Sequence, residues 1–426
     1  MSGKKLTKLA FIALMGCTSF AQAAAFFLIE QSVSTMGNAH AGAAASAEDA
    51  STIWFNPAGL TRVCGTQLVA GGNIIIPKAK FHNDDSLLAP GVPLTGGNGH
   101  NAGEAAFVGA TYLSHQINNC LTVGLGISSP FGLVTDYGHE WVGRYYAIRS
   151  AMLTININPS IAYKINECWS VGVGVSAMYL HAKLTNAINF GSFGPDGIAR
   201  VKGNSWGWGA NAGILWEPYC GTRFGLSYRS EVKHRPEGSA KFSDIPEFLD
   251  PLFPDTRAKA QVTLPSITSF SAYHELNNCW AVLADITWFK WKVIKDLRFS
   301  FNASPPLEDS ITTLRWENTF RYSLGATYRP NCCWAFKVGT AYDKSPVKNK
   351  ELFTPRIPDA DRIWATLGAH YQWNACLGID VAYAHIFART ARVDKTGIDP
   401  FPPQGALRGH SKAYTDIISG QIVYNF

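Results

Sequence analysis

Beyond its first 23 residues, this chain has few long hydrophobic runs. No later segment reaches the ~18 to 20 unbroken apolar residues that a membrane-spanning helix requires. The chain also carries little charge, at 16% of its residues, and both signs are dispersed along its length. The sequence therefore excludes helical membrane spans, and it gives no reason to expect nucleic acid or an acidic partner.

Motifs for catalysis, cofactors and metals are also missing. There is no Walker A sequence, and no CxxC pair or regular histidine spacing that would indicate a metal site. The segment GNSWG at 203–207 formally fits the G-x-S-x-G motif of hydrolases, but that motif requires a strand-to-helix turn. Here Trp206 and Trp208 alternate with Gly207 and Gly209, as in a single strand. The sequence thus predicts a protein that is not an enzyme and that holds neither a cofactor nor a metal.

The N-terminus has the features of a secretory signal peptide. Three lysines precede an apolar run, and Ala21-Gln22-Ala23 has the small-x-small pattern of a signal-peptidase site. We expect cleavage near Ala23, which makes residues 1–23 the signal peptide and lowers the formal net charge from +6 to about +3. The alternative is a lipoprotein cleaved before Cys17, but Met15 fits that processing site poorly.

Alternation with a period of two runs through most of the remaining chain. In residues 121–129, Leu121, Val123 and Leu125 occupy one face, and small or polar residues occupy the other. The same pattern recurs in segments that begin at Trp169, Trp280, Trp334 and Leu377. A strand with one apolar face and one face of small polar residues is typical of a wall between lipid and a wet lumen.

Short segments that end in cysteine, several of them rich in asparagine, recur between these strands at intervals of 44 to 59 residues, and we call them marks. They end at Cys120, Cys168, Cys220, Cys279, Cys332 and Cys376. We expect each mark to be a hairpin turn, in which asparagine supplies suitable dihedral angles. Tyrosines before the marks and tryptophans after them resemble the aromatic girdle at a membrane interface. The eight cysteines beyond the signal peptide would then lie near one rim in an oxidising compartment, and the sequence leaves their pairing open.

The opposite ends of the strands are joined by long polar segments, such as residues 77–103 and 389–412. Short turns at one end and long loops at the other are typical of outer-membrane barrels. Six turns join twelve strands, and a first strand at 66–76 with a last at 414–426 makes fourteen. We therefore predict an all-β fold, a transmembrane antiparallel β-barrel of 14 strands over residues 65–426. A soluble β-sandwich or propeller is the alternative, but its loops should be short at both ends.

Residues 24–64 precede the first strand, are rich in small residues and lack strand alternation. A 14-stranded barrel is wider than the eight-stranded barrels that side chains fill, although it is narrower than the sixteen-stranded porins. Its lumen needs an occupant if the barrel is not to leak. We therefore predict that residues 24–64 form an N-terminal hatch, or plug, inside the lumen.

Several of these segments resemble the FadL/TodX family, the long-chain fatty-acid and hydrocarbon transporters of Gram-negative outer membranes. The resemblance spans nearly the whole chain. It rests on Phe26, Leu28, Glu30, Gly37, the EDAST and NPAGL segments, residues 130–147 and the terminal Phe426. The cysteines at nearly every turn depart from the family pattern and leave the chemistry of that rim open.

The resemblance implies four ligand-binding residues. Phe26 and Leu28 would touch the ligand in a luminal pocket, and His181 with Lys183 would contact its carboxylate. Because a histidine is only partly charged at neutral pH, the ligand would be either a weakly held fatty acid or a neutral molecule. The structural alternatives are that Phe26 only anchors the hatch and that His181 belongs to a polar network in the lumen.

The resemblance also implies a hatch motif and an exit. Asn56, Pro57 and Ala58 would form the hinge or turn of the hatch. The third strand would kink inward and open a gap in the wall at Ser129, Pro130 and Gly132. Proline removes a ladder donor and glycine weakens a strand, so the residues give an independent reason for a break there. The alternative is that Pro130 simply begins the second loop.

The implied function is passive uptake of hydrophobic molecules, long-chain fatty acids first, by loop capture, binding in a luminal pocket and lateral exit. Each buried methylene contributes ~0.8 kcal/mol, so a long acyl tail gains roughly 10 kcal/mol in an apolar groove and no energy source is required. The alternatives are an aromatic or aliphatic hydrocarbon channel, a small-solute porin, and a surface adhesin or receptor that transports nothing. We expect a monomer in outer-membrane lipid.

Overall fold

The computed structural model describes residues 25–302, 308–397 and 403–426. The predicted signal peptide, residues 1–23, lies outside them. Among the described residues, no helix combines the length and the apolar composition that crossing a bilayer would need.

Helical structure is confined to short pieces, most of them near the N-terminus. Three one-turn helices, α1 (Val33–Met36), α2 (Ala43–Ser46) and α3 (Thr52–Phe55), precede a 3-10 helix at Pro57–Arg62. The strands in the described residues are β1 (Thr66–Asn83), β2 (Leu87–Ala89), β3 (Val92–Pro93), β4 (Ala106–Gln116), β5 (Leu121–Ser128), β6 (Gly132–Asp136), β7 (Arg149–Lys164), β8 (Trp169–Ile188), β9 (Gly197–Tyr219), β10 (Thr222–Arg229), β11 (Val232–His234), β12 (Glu237–Ser243), β13 (Thr256–Ala260), β14 (Val262–Leu264), β15 (Ile267–Glu275), β16 (Trp280–Phe289), β17 (Asp296–Asn302), β18 (Ser310–Thr313), β19 (Thr319–Tyr328), β20 (Trp334–Asp343), β21 (Arg362–Gln372), β22 (Leu377–Ala388), β23 (Ala391–Gly397) and β24 (Gly405–Asn425).

Fourteen antiparallel wall strands close into a barrel, which confirms the predicted fold. Strand β1 pairs with β4 on one side and with β24 on the other, so the described sheet closes on itself. Several wall strands consist of two consecutive pieces, and the third is made of β5 and β6, both paired with β7. Strands β11 and β14 form a separate two-stranded sheet. Closure removes the free edges that an open sheet would expose to lipid.

The asparagines of the short turns act through their side chains. At the first turn, Asn118 Oδ1 accepts hydrogen bonds of 2.9 Å from the backbone N–H groups of Cys120 and Leu121. The turns at Asn166, Asn277, Asn331 and Asn374 repeat this pair of bonds. None of these five asparagines has a positive φ. We expected asparagine at these turns because it tolerates unusual dihedral angles. The structure gives a different reason, which is a side-chain hydrogen bond that closes the turn.

All eight cysteines of the described residues are unpaired, and most are exposed. Seven lie in the short turns, and Cys64 lies just before β1 at the same end. The sulfur atoms of Cys332 and Cys333 approach to 3.7 Å. The cysteines thus gather at one rim, as the spacing of the turns predicted.

Aromatic rings line the barrel beside the short turns. Cross-strand pairs include Trp169 with Trp216, Trp280 with Tyr328, and Trp334 with Tyr371. Tyr112 and Tyr273, which we expected in this row, are only 1% exposed and point into the lumen. The Tyr112 hydroxyl donates to the carbonyl of Gln31. The reason is strand parity, because these two tyrosines occupy the inward face of the pleat.

At the opposite end, the wall extends into segments that the sequence indicated as loops. Strand β1 continues to Asn83, β9 begins at Gly197, and β23 and β24 cover most of residues 391–412. The barrel therefore rises well past the apolar band on the side of the long loops.

Residues 25–64, called the hatch from here on, fill the lumen and are almost entirely buried. Wall cations hold it: Lys337 Nζ pairs with the Glu48 carboxylate and donates to the carbonyl of Ser34. The guanidinium groups of Arg229 and Arg321 donate hydrogen bonds to the backbone carbonyls of Trp54 and Ala39, both in the hatch. The hatch is thus fixed by charged groups that require partners inside the barrel.

Candidate functional site

An apolar cavity, called the upper cavity, lies between the hatch and the ends of the wall that carry the long loops. Its walls are mostly aliphatic and include Leu133, Met152, Leu180, Leu184, Leu297 and Phe299. Strands β6 to β8 supply one side, because their inward positions there carry large apolar residues instead of glycine and serine. The walls of the upper cavity suit an apolar molecule.

One cation, Arg356, is buried in the lining of the upper cavity at 9% exposure. Its Nη2 donates to Asn186 Oδ1 at 3.0 Å, whereas Nη1 has no partner in the described structure. No carboxylate of the described residues lies within ion-pair distance of it. Burial lowers the pKa of Arg356 to about 10, so the guanidinium stays charged at neutral pH. A buried cation without a counter-charge is unfavourable unless an anion neutralises it.

Phe26 lines the upper cavity and belongs to an aromatic cluster. Its ring lies 5.2 to 5.9 Å from those of Trp291, Trp316 and Phe131. Leu28 is fully buried beside it but does not line the cavity. The hatch therefore meets the upper cavity through Phe26, and Leu28 supports that contact from behind.

His181 and Lys183 lie on the outer face of β8, away from the upper cavity. Their neighbours Leu180, Ala182 and Leu184 point inward and line it. Lys183 is exposed on the same face as Val175, which is 51% exposed. A strand alternates its faces at every residue, so a match that is one position off places both side chains on the wrong side of the wall. The structure therefore gives no support to a carboxylate contact by His181 or Lys183 in this cavity.

The wall is interrupted where the third strand was expected to kink. Strand β5 ends at Ser128 and β6 begins at Gly132, and the backbone between them turns toward the hatch. There the Leu28 N–H donates to the Pro130 carbonyl at 2.8 Å, and the Gly132 N–H donates to the Phe26 carbonyl at 2.9 Å. Ser129 also accepts a hydrogen bond from the Gln31 side chain. The N-terminal end of the hatch thus occupies the backbone positions that a neighbouring wall strand would otherwise fill.

The backbone pairing of the wall has a gap beside this interruption, and we call this gap the window. Strands β4 and β5 pair only from Thr111 with Ile127 onward, and β6 pairs with β7 but not with β4. The next contact above is a bridge between Gly103 and Thr135. Between these two contacts, residues 106–110 pair on one side only, with β1. The window lies next to Phe131, which contacts Phe26 and Phe27.

The segment Asn56-Pro57-Ala58 docks the hatch onto the wall. Asn56 is fully buried; its Nδ2 donates to the carbonyls of Ala44 and Ile214, and its Oδ1 accepts from the Ala58 N–H. Pro57 begins the 3-10 helix, where its missing N–H costs nothing. A β-carbon at Gly213 would lie 1.9 Å from Asn56 Oδ1, and one at Gly172 would lie 2.4 Å from Ala58 N. The glycines of the inner face are thus needed where the hatch backbone touches the wall.

Polar space lies on the periplasmic side of the hatch. A vestibule of about 1410 Å³ there is lined by Glu48, Arg62, Arg223, Lys337 and Asp380, among others. A smaller space of about 530 Å³ beside the hatch is also lined partly by charged groups. A straight path through the lumen would therefore carry an apolar molecule into charged surroundings, whereas the window faces the bilayer.

Arg356 was not found from the sequence. It lies in a long loop, and nothing in the spacing of wall strands indicates which loop residue turns inward. The one usable signal is its setting in FTPRIP, at 353–358, where a single cation stands between two prolines and two apolar residues. Ser205 of the GNSWG segment lies within strand β9, 3.1 Å from His234 Nδ1, and not on a strand-to-helix turn.

Comparison with known proteins agrees with this geometry. Residues 14–426 match the family model described as outer membrane protein transport protein (OMPP1/FadL/TodX). A long-chain fatty acid transport protein of Escherichia coli O6:H1 is 32% identical over 92% of this chain and 94% of its own length. A putative outer membrane protein of Neisseria meningitidis serogroup B is 28% identical over 93% of each chain.

Solved structures share the fold. A FadL homologue of Pseudomonas aeruginosa superposes with a TM-score of 0.87 at 23% identity, over 94% of this chain and 99% of that one. The toluene transporter TodX of Pseudomonas putida gives a TM-score of 0.74 at 16% identity, over 95% and 100%. The chain belongs to the FadL/TodX family of hydrophobic-substrate transport proteins of the Gram-negative outer membrane.

Proposed function

We propose that this protein takes up long-chain fatty acids by passive diffusion through the upper cavity. The observation that carries this proposal is the Arg356 guanidinium, a buried cation with an unpartnered N–H group in a mostly apolar cavity. A fatty acid offers a carboxylate to this cation and an acyl tail to the aliphatic walls. A neutral hydrocarbon would fill the walls but leave Arg356 without a counter-charge, which makes it the weaker candidate.

The proposed path begins at the long loops, passes the upper cavity and leaves through the window beside Pro130. Phe26 separates the cavity from the window, and its carbonyl accepts from Gly132. Movement of the hatch N-terminus would break this bond and join the two spaces. The charged vestibule on the periplasmic side supports lateral exit, because an acyl chain would lose its apolar surroundings on a straight path.

In this proposal the hatch motif Asn56-Pro57-Ala58 keeps the rest of the hatch in place while its N-terminus moves. The three hydrogen bonds of Asn56 support that role. Transfer into the outer-membrane lipid is about as favourable as binding in the cavity, so no energy source is required. In this proposal the protein works as a monomer.

The first test compares binding of palmitate and of hexadecanol, its neutral counterpart, to the purified barrel. We expect the wild type to prefer palmitate and Arg356→Gln to lose roughly 10- to 100-fold in palmitate affinity, as expected for a hydrogen bond to a charged group. Hexadecanol affinity should change little. Arg356→Lys should retain part of the preference, and Arg389→Gln, an exposed arginine of the next long loop, is the matched control.

Uptake of radiolabelled palmitate by cells without their own transporter gives the functional readout. Wild-type uptake that falls in Arg356→Gln but not in Arg389→Gln would support the proposal. Equal binding of palmitate and hexadecanol by the wild type would overturn it in favour of hydrocarbon uptake. Correct folding but no uptake of either would favour the adhesin or receptor alternative.

A further inference from the structure

The outer surface of the barrel carries a group of cations that the transport pathway does not use. Lys183 on β8, Arg200 and Lys202 on β9, and Arg257 on β13 are all exposed, and we call them the outer basic array. Their strands are neighbours through β12. The array lies on the side of the long loops and faces away from the lumen.

The array is arranged as a cross-strand row. Lys183 stands directly opposite Lys202, Lys202 opposite Ser239, and Ser239 opposite Arg257. Like charges directly opposite each other on a ladder destabilise a sheet. This arrangement therefore calls for an anion that lies across several strands.

The acidic groups nearby are engaged elsewhere. Glu237 pairs with Lys259 at 3.0 Å, Asp255 with Lys241 at 3.8 Å, and Asp309 with Arg298 at 3.5 Å. In the part of the chain that the structure describes, none of the four cations of the array has a carboxylate within ion-pair distance. The excess positive charge of this face is therefore uncompensated by the protein itself.

The aromatic rows show where the bilayer ends. On β8, Trp169 and Tyr179 are ten residues apart, which is about 33 Å along the strand and about 25 Å in height after strand tilt. That height matches the apolar band of an outer-membrane barrel. Tyr179 is paired with Trp206, which is 56% exposed, and these rings mark the outer interface.

The array lies just beyond that interface. Lys183 and Lys202 are each four residues past Tyr179 and Trp206, or about 13 Å along their strands. Cations at this height meet lipid headgroups, while Trp206 and Trp208 below them meet acyl chains. A phosphorylated lipid of the outer leaflet offers both partners in one molecule. Its phosphates meet the cations above, and its acyl chains pack on the aromatic rings below.

We propose that the outer basic array binds the phosphate groups of an outer-leaflet glycolipid and so fixes this side of the barrel in the membrane. The Lys183–Lys202 pair and Arg257 supply a row of donors for phosphate oxygens, which charged donors bind strongly. The exposed side chains of the array lie on the outer face; Lys202 also borders the upper cavity, which the inward residues Leu184, Val201 and Ala258 of the same strands line. It does not depend on which hydrophobic molecule is transported.

The test measures binding of bisphosphorylated lipid A and of its dephosphorylated form to the detergent-solubilised barrel by native mass spectrometry. We expect the wild type to prefer the phosphorylated form. The triple variant Lys183→Gln, Lys202→Gln, Arg257→Gln should bind the first molecule of phosphorylated lipid about 100-fold more weakly than the wild type does. This corresponds to a loss of about tenfold or less for each cation removed. The matched control, Lys290→Gln, Lys292→Gln, Lys295→Gln, removes three exposed charges between β16 and β17 and should bind as the wild type does.

Three results would overturn the proposal: equal binding of both lipids by the wild type, an unchanged affinity of the triple variant, or full competition by inorganic phosphate at equal concentration, which indicates a free-anion site. The variant Lys183→Arg, Lys202→Arg keeps both charges and should retain binding. Because these side chains are exposed, the variants should fold as the wild type does. The change in gel mobility on heating should therefore be the same for the variants and the wild type.

Discussion

Among the buried ionisable side chains whose atoms lack a hydrogen-bond partner are Arg356, through Nη1, and Glu30, through both carboxylate oxygens. They differ in what can reach them. Arg356 lines the upper cavity and is open to a ligand, whereas Glu30 belongs to the hatch and is fully buried. The first is suited to binding an anion, and the second makes the stability of the docked hatch depend on pH.

Burial raises the pKa of Glu30 from 4.5 to about 7, although the charges of Arg362 and Arg321 act in the opposite direction. The docked hatch therefore holds this proton more tightly than an undocked hatch would. The contribution of Glu30 to docking is therefore most favourable below about pH 4.5, and it falls by about 3 kcal/mol as the pH rises from there to 7. We expect hydrogen exchange of hatch amides to be faster in the wild type than in Glu30→Gln at pH 8.

The same ratio of exchange rates should be much closer to one at pH 5, because Glu30 of the docked hatch is then neutral and little of the difference has developed. Comparing the two proteins at each pH cancels the intrinsic pH dependence of exchange. A ratio that does not change between pH 5 and pH 8 would mean that Glu30 is ionised, or that it is paired, in the docked hatch.

At the scale of elements, the break in the third wall strand changes the backbone pairing of the wall. Its two pieces share the partner β7, but only the first piece pairs with β4. Pro130 cannot donate to a ladder, and its carbonyl is engaged by Leu28 of the hatch. The hatch and the break therefore form one structural unit.

We predict that Pro130→Val with Gly132→Val favours a continuous strand and slows uptake without blocking binding. β-Branched residues fit a pleated strand, and the new N–H at position 130 can join the ladder. Palmitate uptake should fall at least about tenfold, which corresponds to a barrier about 1.4 kcal/mol higher. Equilibrium palmitate binding to the purified protein should be kept.

The control for this prediction is Pro159→Val. Pro159 lies on β7 opposite Leu125, in the same part of the wall but away from the break. It should leave uptake unchanged. Normal uptake by the Pro130→Val, Gly132→Val variant would show that ligand does not leave through this window.

At the scale of the whole molecule, the barrel and the hatch depend on each other. Wall glycines such as Gly213 leave room for hatch backbone, and wall cations such as Lys337 find their partners on it. Without the hatch, a lumen of this width would fill with water. The hatch therefore decides whether the protein is a selective pathway or an open pore.

Deleting residues 25–64 should turn the protein into an unselective channel. We expect steady ion conductance in planar bilayers, where the wild type conducts little, and entry of small hydrophilic solutes into cells. Asn56→Ala removes the side-chain hydrogen bonds to Ala44, Ile214 and Ala58, and it should give brief openings only. A folded deletion variant that stays non-conducting would contradict this account of the hatch.

The sequence by itself determined the class of fold, the number of wall strands and the position of the hatch. These follow from local rules. Alternation with a period of two indicates a strand that has one face toward lipid and the other toward the lumen, and short turns at one end with long loops at the other indicate an outer-membrane barrel. The break near Pro130 is likewise local, since a single missing donor interrupts a ladder.

Only the tertiary structure decided which side chains meet in the upper cavity. His181 and Lys183 differ from the cavity-lining residues by one position on the same strand, and a one-residue shift reverses every side chain. Arg356 reaches the cavity from a loop whose path depends on contacts with distant strands, such as its bond to Asn186. Strand parity and loop packing are set by long-range register, which local sequence patterns do not encode.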